Sequence, residues 1–250
     1  MSEPTCQPFA VENETGRAPV VIVVDHASNH IPPPWGDLGL GPAEREAHIA
    51  WDPGALPVAR AMARILDAPL FAATVSRLVL DLNRPTGSST LIPAVSETTA
   101  IPGNANLSDA DRERRLAEVY RPYHAALEAF VEASAAVHGH RLAVVAVHTF
   151  TPVYKGVARA LHAGILFDRD ERLGRGVVDE LRKEAGLVIE ANQPYSPSDE
   201  VYWTLDRHAV SRGLMNVMIE IRNDELRTEG ARLAWAQRLS GAIARTMGTA

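Results

Sequence analysis

Residues 20–32 read VVIVVDHASNHIP. Five apolar residues run without a polar break into Asp25, His26, Ser28, Asn29 and His30. Apolar side chains at successive rather than alternate positions suit a strand covered on both faces. Such strands belong to sheets flanked by helices, so the stretch predicts an α/β architecture. Its polar tail then falls beyond the carboxyl end of a strand, where that architecture binds ligands. The competing reading of residues 25–30 is an ordinary surface turn after a core strand.

Outward from this stretch the pattern repeats. Further strands are predicted at residues 69–74, 78–82, 142–147, 163–167, 187–190 and 214–221. Helices are predicted between them. One covers residues 53–66, with Asp52 as N-cap and Pro53 at the first helical position. A second runs from Ser108 toward Val137, with Asp109 and Asp111 in its first turn and a kink or break at Pro122. A third covers residues 169–184 and closes at Gly186; a fourth covers residues 224–246. The alternation predicts a three-layer α/β fold, a mainly parallel (mixed) sheet flanked by helices. Residues 1–250 are expected to form a single domain, with 1–17 a loosely ordered terminus.

Composition narrows the function classes. Apolar residues make up 46% and charged residues 22% of the 250, ordinary for a soluble globular chain with a large core. A net charge of -6 with no Lys/Arg run argues against a nucleic-acid partner. No apolar run approaches a membrane span, and MSEPTCQPFAVENET has no signal-peptide pattern, so no membrane association is expected. One cysteine, Cys6, excludes an internal disulfide and fits a reducing, cytoplasmic setting. Cys6 lies in the loose terminus and is not expected to be a nucleophile. A monomer or homodimer is expected.

Four predicted strands end in chemistry. The first delivers Asp25, His26, Ser28 and Asn29; RLVLDLNRP carries Arg77, Asp81, Asn83 and Arg84; LAVVAVHTFTP carries His148 and Thr149; LMNVMIEIRND carries Glu220, Arg222, Asn223 and Asp224. In a parallel sheet these ends share one edge. Imidazoles on two strand tips can hold a divalent zinc-like ion, which polarises a carbonyl and activates water. A glutamate can move the water's proton to a leaving nitrogen. Arginines beside an asparagine can clamp a carboxylate. Together these residue types point to metal-assisted hydrolysis of an amide on a small anionic molecule. Each has a plainer reading: a structural histidine, a turn asparagine, a Glu220 salt-bridged to Arg222 or Arg84. His30, His48, His124, His138, His140 and His162 are background, with His124, His138 and His140 expected to face solvent.

DHASNHIP, HIAWDPGA, SRLVLDLNRP, HTFTPVYKG, NQPYS and IEIRND resemble, in order and spacing, the N-formylglutamate amidohydrolase family, from about Val20 to Asp224. That family is related to the zinc carboxypeptidases and to the aspartoacylase/succinylglutamate desuccinylase group. The resemblance implies a phosphorylase/hydrolase-like fold and a metal-dependent deacylase splitting N-formyl-L-glutamate into formate and glutamate, in histidine breakdown. The cofactor it implies is zinc, with cobalt or manganese as alternatives. It makes His26 the first metal ligand and His148 the last. Where relatives carry His-x-x-Glu this chain has His26-Ala-Ser-Asn29, so the third ligand is Asn29, Asp25 or Asp52, Asp52 being favoured as a helix cap. It implies Asn83 and Arg84 as substrate-carboxylate binders with Arg77 helping there and at the oxyanion. Glu220 becomes the general base and acid, and Arg222 a second carboxylate binder or the group orienting Glu220. It also implies that Asn192, Tyr195 and His208 lie in a loop closing over the pocket and touch substrate there, Tyr195 and His208 as substrate binders. Two alternatives keep the same residues: a deacylase for another N-acyl amino acid or small amide, and a metal-free dicarboxylate-binding protein.

Overall fold

The computed structural model describes residues 7–249; Cys6 lies outside them. Seven strands form one mixed sheet: β1 (Phe9–Glu12), β2 (Val20–Val24), β3 (Leu70–Ala73), β4 (Ala143–Phe150), β5 (Ala163–Leu166), β6 (Ile189–Ala191) and β7 (Met215–Arg222). Their order is β1-β3-β2-β4-β7-β5-β6. The central four, β3, β2, β4 and β7, are parallel. β1 pairs antiparallel with β3, and β5 pairs antiparallel with β7 while running parallel to β6. Three small departures concern the strands. β1 lies in the stretch expected to be a loose terminus; it pairs along β3 from Phe9 against Ala73 to Glu12 against Leu70. β4 continues past His148 to Phe150, so that imidazole sits inside the strand rather than at its tip. β5 and β6 point away from the edge the central strands share.

Beside a short helix at Pro42–Glu46, six longer helices complete the layers: α1 (Ala55–Leu66), α2 (Asp109–Arg115), α3 (Arg121–His138), α4 (Arg172–Leu181), α5 (Trp203–His208) and α6 (Glu229–Met247). The sheet divides the core by strand alternation. Val20, Ile22, Val24, Val145, Val147, Val217, Ile219 and Ile221 pack with residues of α1, α4 and α6. Val21, Val23, Val144, Ala146 and Met218 pack on the other face with Val119, Tyr123, Leu127 and Val131. Ser108 caps α2 by accepting the Asp111 N–H, as its position predicts. Pro122 does not interrupt the chain's helical course. A π-helical turn at Leu116–Tyr120 joins α2 to α3, and the Arg121 N–H reaches back five residues to Leu116 O. The wider turn accommodates the proline, which donates no hydrogen bond.

Residues 78–82 are not a strand. Their backbone groups bond to side chains and loops: Asn104 Nδ2 to Leu78 O, Arg115 Nη1 to Val79 O, Ser76 Oγ accepting from Leu78 N, and Asp81 N to Leu91 O. Leu78, Val79, Leu80 and Leu82 are buried as a plug beneath the cavity at the carboxyl edge of the sheet. Apolar periodicity reported burial correctly there, but side-chain partners replaced the ladder.

Candidate active site

Alternation also decides which polar groups meet. Asp25 follows Val21 and Val23, His148 follows Val144 and Ala146, and Glu220 follows Met218, so all three turn to the face packed on α3. On the neighbouring parallel strands Glu220 is in register with His148, and Val23 is in register with Ala146. The result is a cavity of about 290 Å³ whose lining includes His26, Asp52, Arg77, Asp81, Asn83, Arg84, His148, Tyr195 and Glu220.

The two imidazoles are buried, 4.9 Å apart between ring centroids, and nearly perpendicular at 73°. Asp52 Oδ2 lies 2.9 Å from His148 Nδ1 and 3.5 Å from His26 Nδ1. Behind the rings, His26 Nε2 donates to Asp81 Oδ1 at 2.8 Å, and His148 Nε2 stands 3.3 Å from Asp25 Oδ2. Both carboxylates are held in turn. Asp81 accepts from Arg77 Nη2 at 2.6 Å and from the Asn83 N–H at 3.0 Å. Asp25 accepts from the Tyr123 hydroxyl at 2.7 Å and Thr204 Oγ1 at 3.0 Å.

Burial raises the proton affinity of these acids, and their partners oppose it. At Asp25 the His148 contact and both imidazoles win, leaving its pKa lowered. At Asp52 burial is likewise overridden by the charge of His26 and the His148 bond. Asp81 is held well below the usual carboxylate range against burial, first by Arg77 and then by His26. His148 shows the converse: burial disfavours its charge, but contacts to Asp25 and Asp52 push it up to about 10. Glu220 lacks such partners. Burial raises it to about 7, with His148 opposing, and its Oε2 has no hydrogen-bond partner.

This donor set fits a metal ion. His26, Asp52 and His148 each offer an atom, all within 4.8 Å of one another. Ligand atoms about 2.0–2.2 Å from a tetrahedral ion stand about 3.3–3.6 Å from each other; the 3.5 Å separation matches that spacing and the 2.9 Å one lies inside it. His26 Nδ1 is buried without a hydrogen-bond partner. Each ring presents Nδ1 to Asp52 and turns Nε2 to a carboxylate, the arrangement that fixes a ligating tautomer. Asp25, Asp52, Asp81 and Glu220 also gather four buried acidic groups near two guanidiniums, Arg77 and Arg84, an imbalance that a cation relieves.

Of the residues singled out in sequence, His26, His148, Glu220, Arg77, Asn83, Arg84 and Tyr195 line the cavity. Asn29 does not: its amide donates to Arg45 O, facing away from the imidazoles. Asp52 takes the place beside them instead and is not a helix cap, since α1 begins at Ala55 behind Gly54 with no side-chain cap. Arg222 is also elsewhere, paired with Asp224 and Glu225 and bonded to the carbonyls of residues 159–161. His208 is fully buried, its Nε2 2.9 Å from Nδ1 of His124. His124, expected to face solvent, is buried and reaches Leu82 O through Nε2 at 3.1 Å. Asn192 accepts the Phe167 N–H rather than facing the cavity. The Asn83 side chain is spent on loop backbone, donating to Val201 O and accepting the Thr204 N–H. Arg84 bonds to Thr90 Oγ1 and two carbonyls, with no carboxylate partner among the described residues.

A mixed α/β sheet with imidazoles and carboxylates gathered at the carboxyl edge of its parallel strands defines a hydrolytic enzyme. The sequence profile of N-formylglutamate amidohydrolase matches residues 18–226. The chain belongs to the N-formylglutamate amidohydrolase family. It is 40% identical to a gene product of Agrobacterium tumefaciens of known crystal structure, covering 99% of this chain and 98% of that one with a TM-score of 0.94. An N-formylglutamate amidohydrolase from Ralstonia eutropha, 22% identical over 97% of both chains, shares the fold with a TM-score of 0.63. No functionally curated protein matches. Among the described residues no helix is long and apolar enough to cross a membrane.

Proposed function

We propose that this protein is a metal-dependent amidohydrolase that removes the formyl group from an N-formylated acidic amino acid such as N-formyl-L-glutamate. The observation that carries the reading is the convergence of His26 Nδ1 and His148 Nδ1 on one oxygen of Asp52, each ring backed by its own carboxylate. Those three residues would hold the ion, with zinc the best match to two imidazoles and a carboxylate, and cobalt or manganese as substitutes. When bound, such an ion supplies Lewis acidity toward water and the acyl carbonyl.

The protein's own groups do the rest. Glu220, in register with His148, takes a proton from water on a carboxylate oxygen and returns it to the departing nitrogen. A proton affinity near neutrality suits both transfers. Arg77, held by Asp81 and facing the cavity, is placed to stabilise negative charge developing on the acyl oxygen. Arg84, free of carboxylate partners among the described residues, grips the amino-acid carboxylate, while Asn83 fixes the adjoining loop. Tyr195 closes one wall.

The test is chelation followed by metal restoration, assayed on a panel of N-formyl, N-acetyl and N-succinyl amino acids. Activity on the formyl compounds should vanish with the metal and return with zinc, cobalt or manganese. Unchanged activity after verified metal removal refutes the metal requirement, and a preference for another acyl group refutes the formyl assignment.

A further inference from the structure

Arg159, just beyond the Val153–Ala158 hairpin, is half-buried and forms no ion pair with any described residue. Its guanidinium carbon lies over three aromatic rings: Tyr154 at 4.6 Å, Tyr195 at 5.0 Å and Phe150 at 5.5 Å. Nη1 donates to the Tyr195 hydroxyl at 3.2 Å, the one side-chain hydrogen bond it makes among the described residues. Arginine has five N–H donors, so a forked set remains for a ligand. Stacking on π faces favours the cation while leaving its edge free.

Tyr154 and Tyr195 line the same cavity as His148 and Glu220. Tyr195 shares that lining with Arg77 as well. The backbone is held as firmly as the side chain. Arg222 Nη1 donates to the carbonyls of Arg159, Ala160 and Leu161 at 3.1, 3.3 and 3.4 Å. The arginine that sequence placed on substrate thus anchors the segment bearing another arginine. A single loop then links the two unpaired guanidiniums. At Tyr195 it meets Arg159, and at Glu200 its carbonyl meets Arg84 Nη1 at 3.1 Å.

We propose that Arg159 is a specificity-determining residue that binds a second substrate carboxylate, so that the site selects N-acyl dicarboxylic amino acids over neutral ones. The proposal rests on the amidohydrolase reading for its substrate. A preorganised, uncompensated cation stacked behind two of the cavity's wall residues, Tyr154 and Tyr195, has that recognition as its natural use.

The experiment compares N-formyl-L-glutamate with N-formyl-L-glutamine in wild type, Arg159→Met and Arg159→Lys. Calorimetric binding of free L-glutamate and L-glutamine to the metal-loaded proteins accompanies it. Wild type should favour the glutamate compounds at least tenfold. Arg159→Met should lower that ratio tenfold or more, mainly through KM, and Arg159→Lys should recover part of it. A wild type without the preference overturns the proposal. So does an Arg159→Met ratio equal to wild type, whether both substrates lose together or neither changes. Failure of the hydrolytic reading looks different: no turnover in any protein, with the calorimetric ratio still deciding the role of Arg159.

Discussion

Asp81→Asn separates an oriented metal site from a mere cluster of buried polar groups. The Asp81 carboxylate accepts three hydrogen bonds, from His26 Nε2 at 2.8 Å, Arg77 Nη2 at 2.6 Å and the Asn83 N–H at 3.0 Å. An amide of the same shape keeps one carbonyl oxygen for His26 but loses the charge that makes the imidazole a better donor. It also turns an NH2 group toward Arg77, which already donates. Loss of such a supporting carboxylate typically costs 10–100-fold in metal affinity, about 1.4–2.8 kcal/mol at tenfold per 1.4 kcal/mol. Competition with a chelating dye measures the zinc dissociation constant directly. The formyl-hydrolysis assay, run at saturating zinc, separates lost metal from lost chemistry. Zinc affinity should fall by one to two decades, with activity partly restored by excess metal. Affinity equal to wild type would refute the assignment of His26 as a ligand set by Asp81.

Glu220→Gln should retain zinc and lose 10²–10⁴-fold in kcat, the usual worth of a positioned acid–base group; near-wild-type turnover removes Glu220 from the reaction. Asp52→Asn should weaken zinc binding more than Asp81→Asn does, whereas Asn29→Ala should leave zinc affinity within twofold, and the reverse ranking would restore Asn29 as the third donor. In the metal-free protein His148 is raised to about 10 and Glu220 to about 7, both above their ordinary values. The folded state therefore holds more protons than the unfolded chain through that range, and stability falls as pH rises. The His148 contribution is full below about 6.5 and lost through about 10. Urea unfolding of metal-free protein at pH 7, 8 and 9, above the range where buried His124 and His208, lowered to about 3 and 4, give the opposite slope, should show a declining series; a flat or rising one contradicts the raised proton affinity of His148.

The strand cores were legible because β2, β4 and β7 are covered on both faces and therefore carry apolar residues at successive positions. That His26, His148 and Glu220 meet at one cavity followed from where those runs end. The orientation of β5 and β6 was not legible, since the direction of a strand depends on its connection rather than its composition. β1, four half-buried residues at an edge, carries too weak a pattern to separate from a tail. Asp52 was misread because Pro53 after an acidic residue resembles a helix start, and its approach to His148 spans 96 positions in sequence. Arg222 was misread because a strand-end arginine looks free until Asp224 and Glu225 fold back on it. Arg159 had no local signal at all: its three aromatic neighbours come from β4, the following hairpin and a distant loop.

The pairing of Glu220 with His148 has an evolutionary corollary. A one-codon insertion or deletion inside residues 215–220 would rotate the glutamate to the opposite side of the sheet, among the aliphatic side chains under α4 and α6. Changes of chain length in this lineage should therefore be purged from β7 and accumulate in the Val153–Ala158 hairpin and in a second one, where Val95 pairs with Ala100 beside the cavity, so that they can reshape substrate choice without displacing the proton carrier.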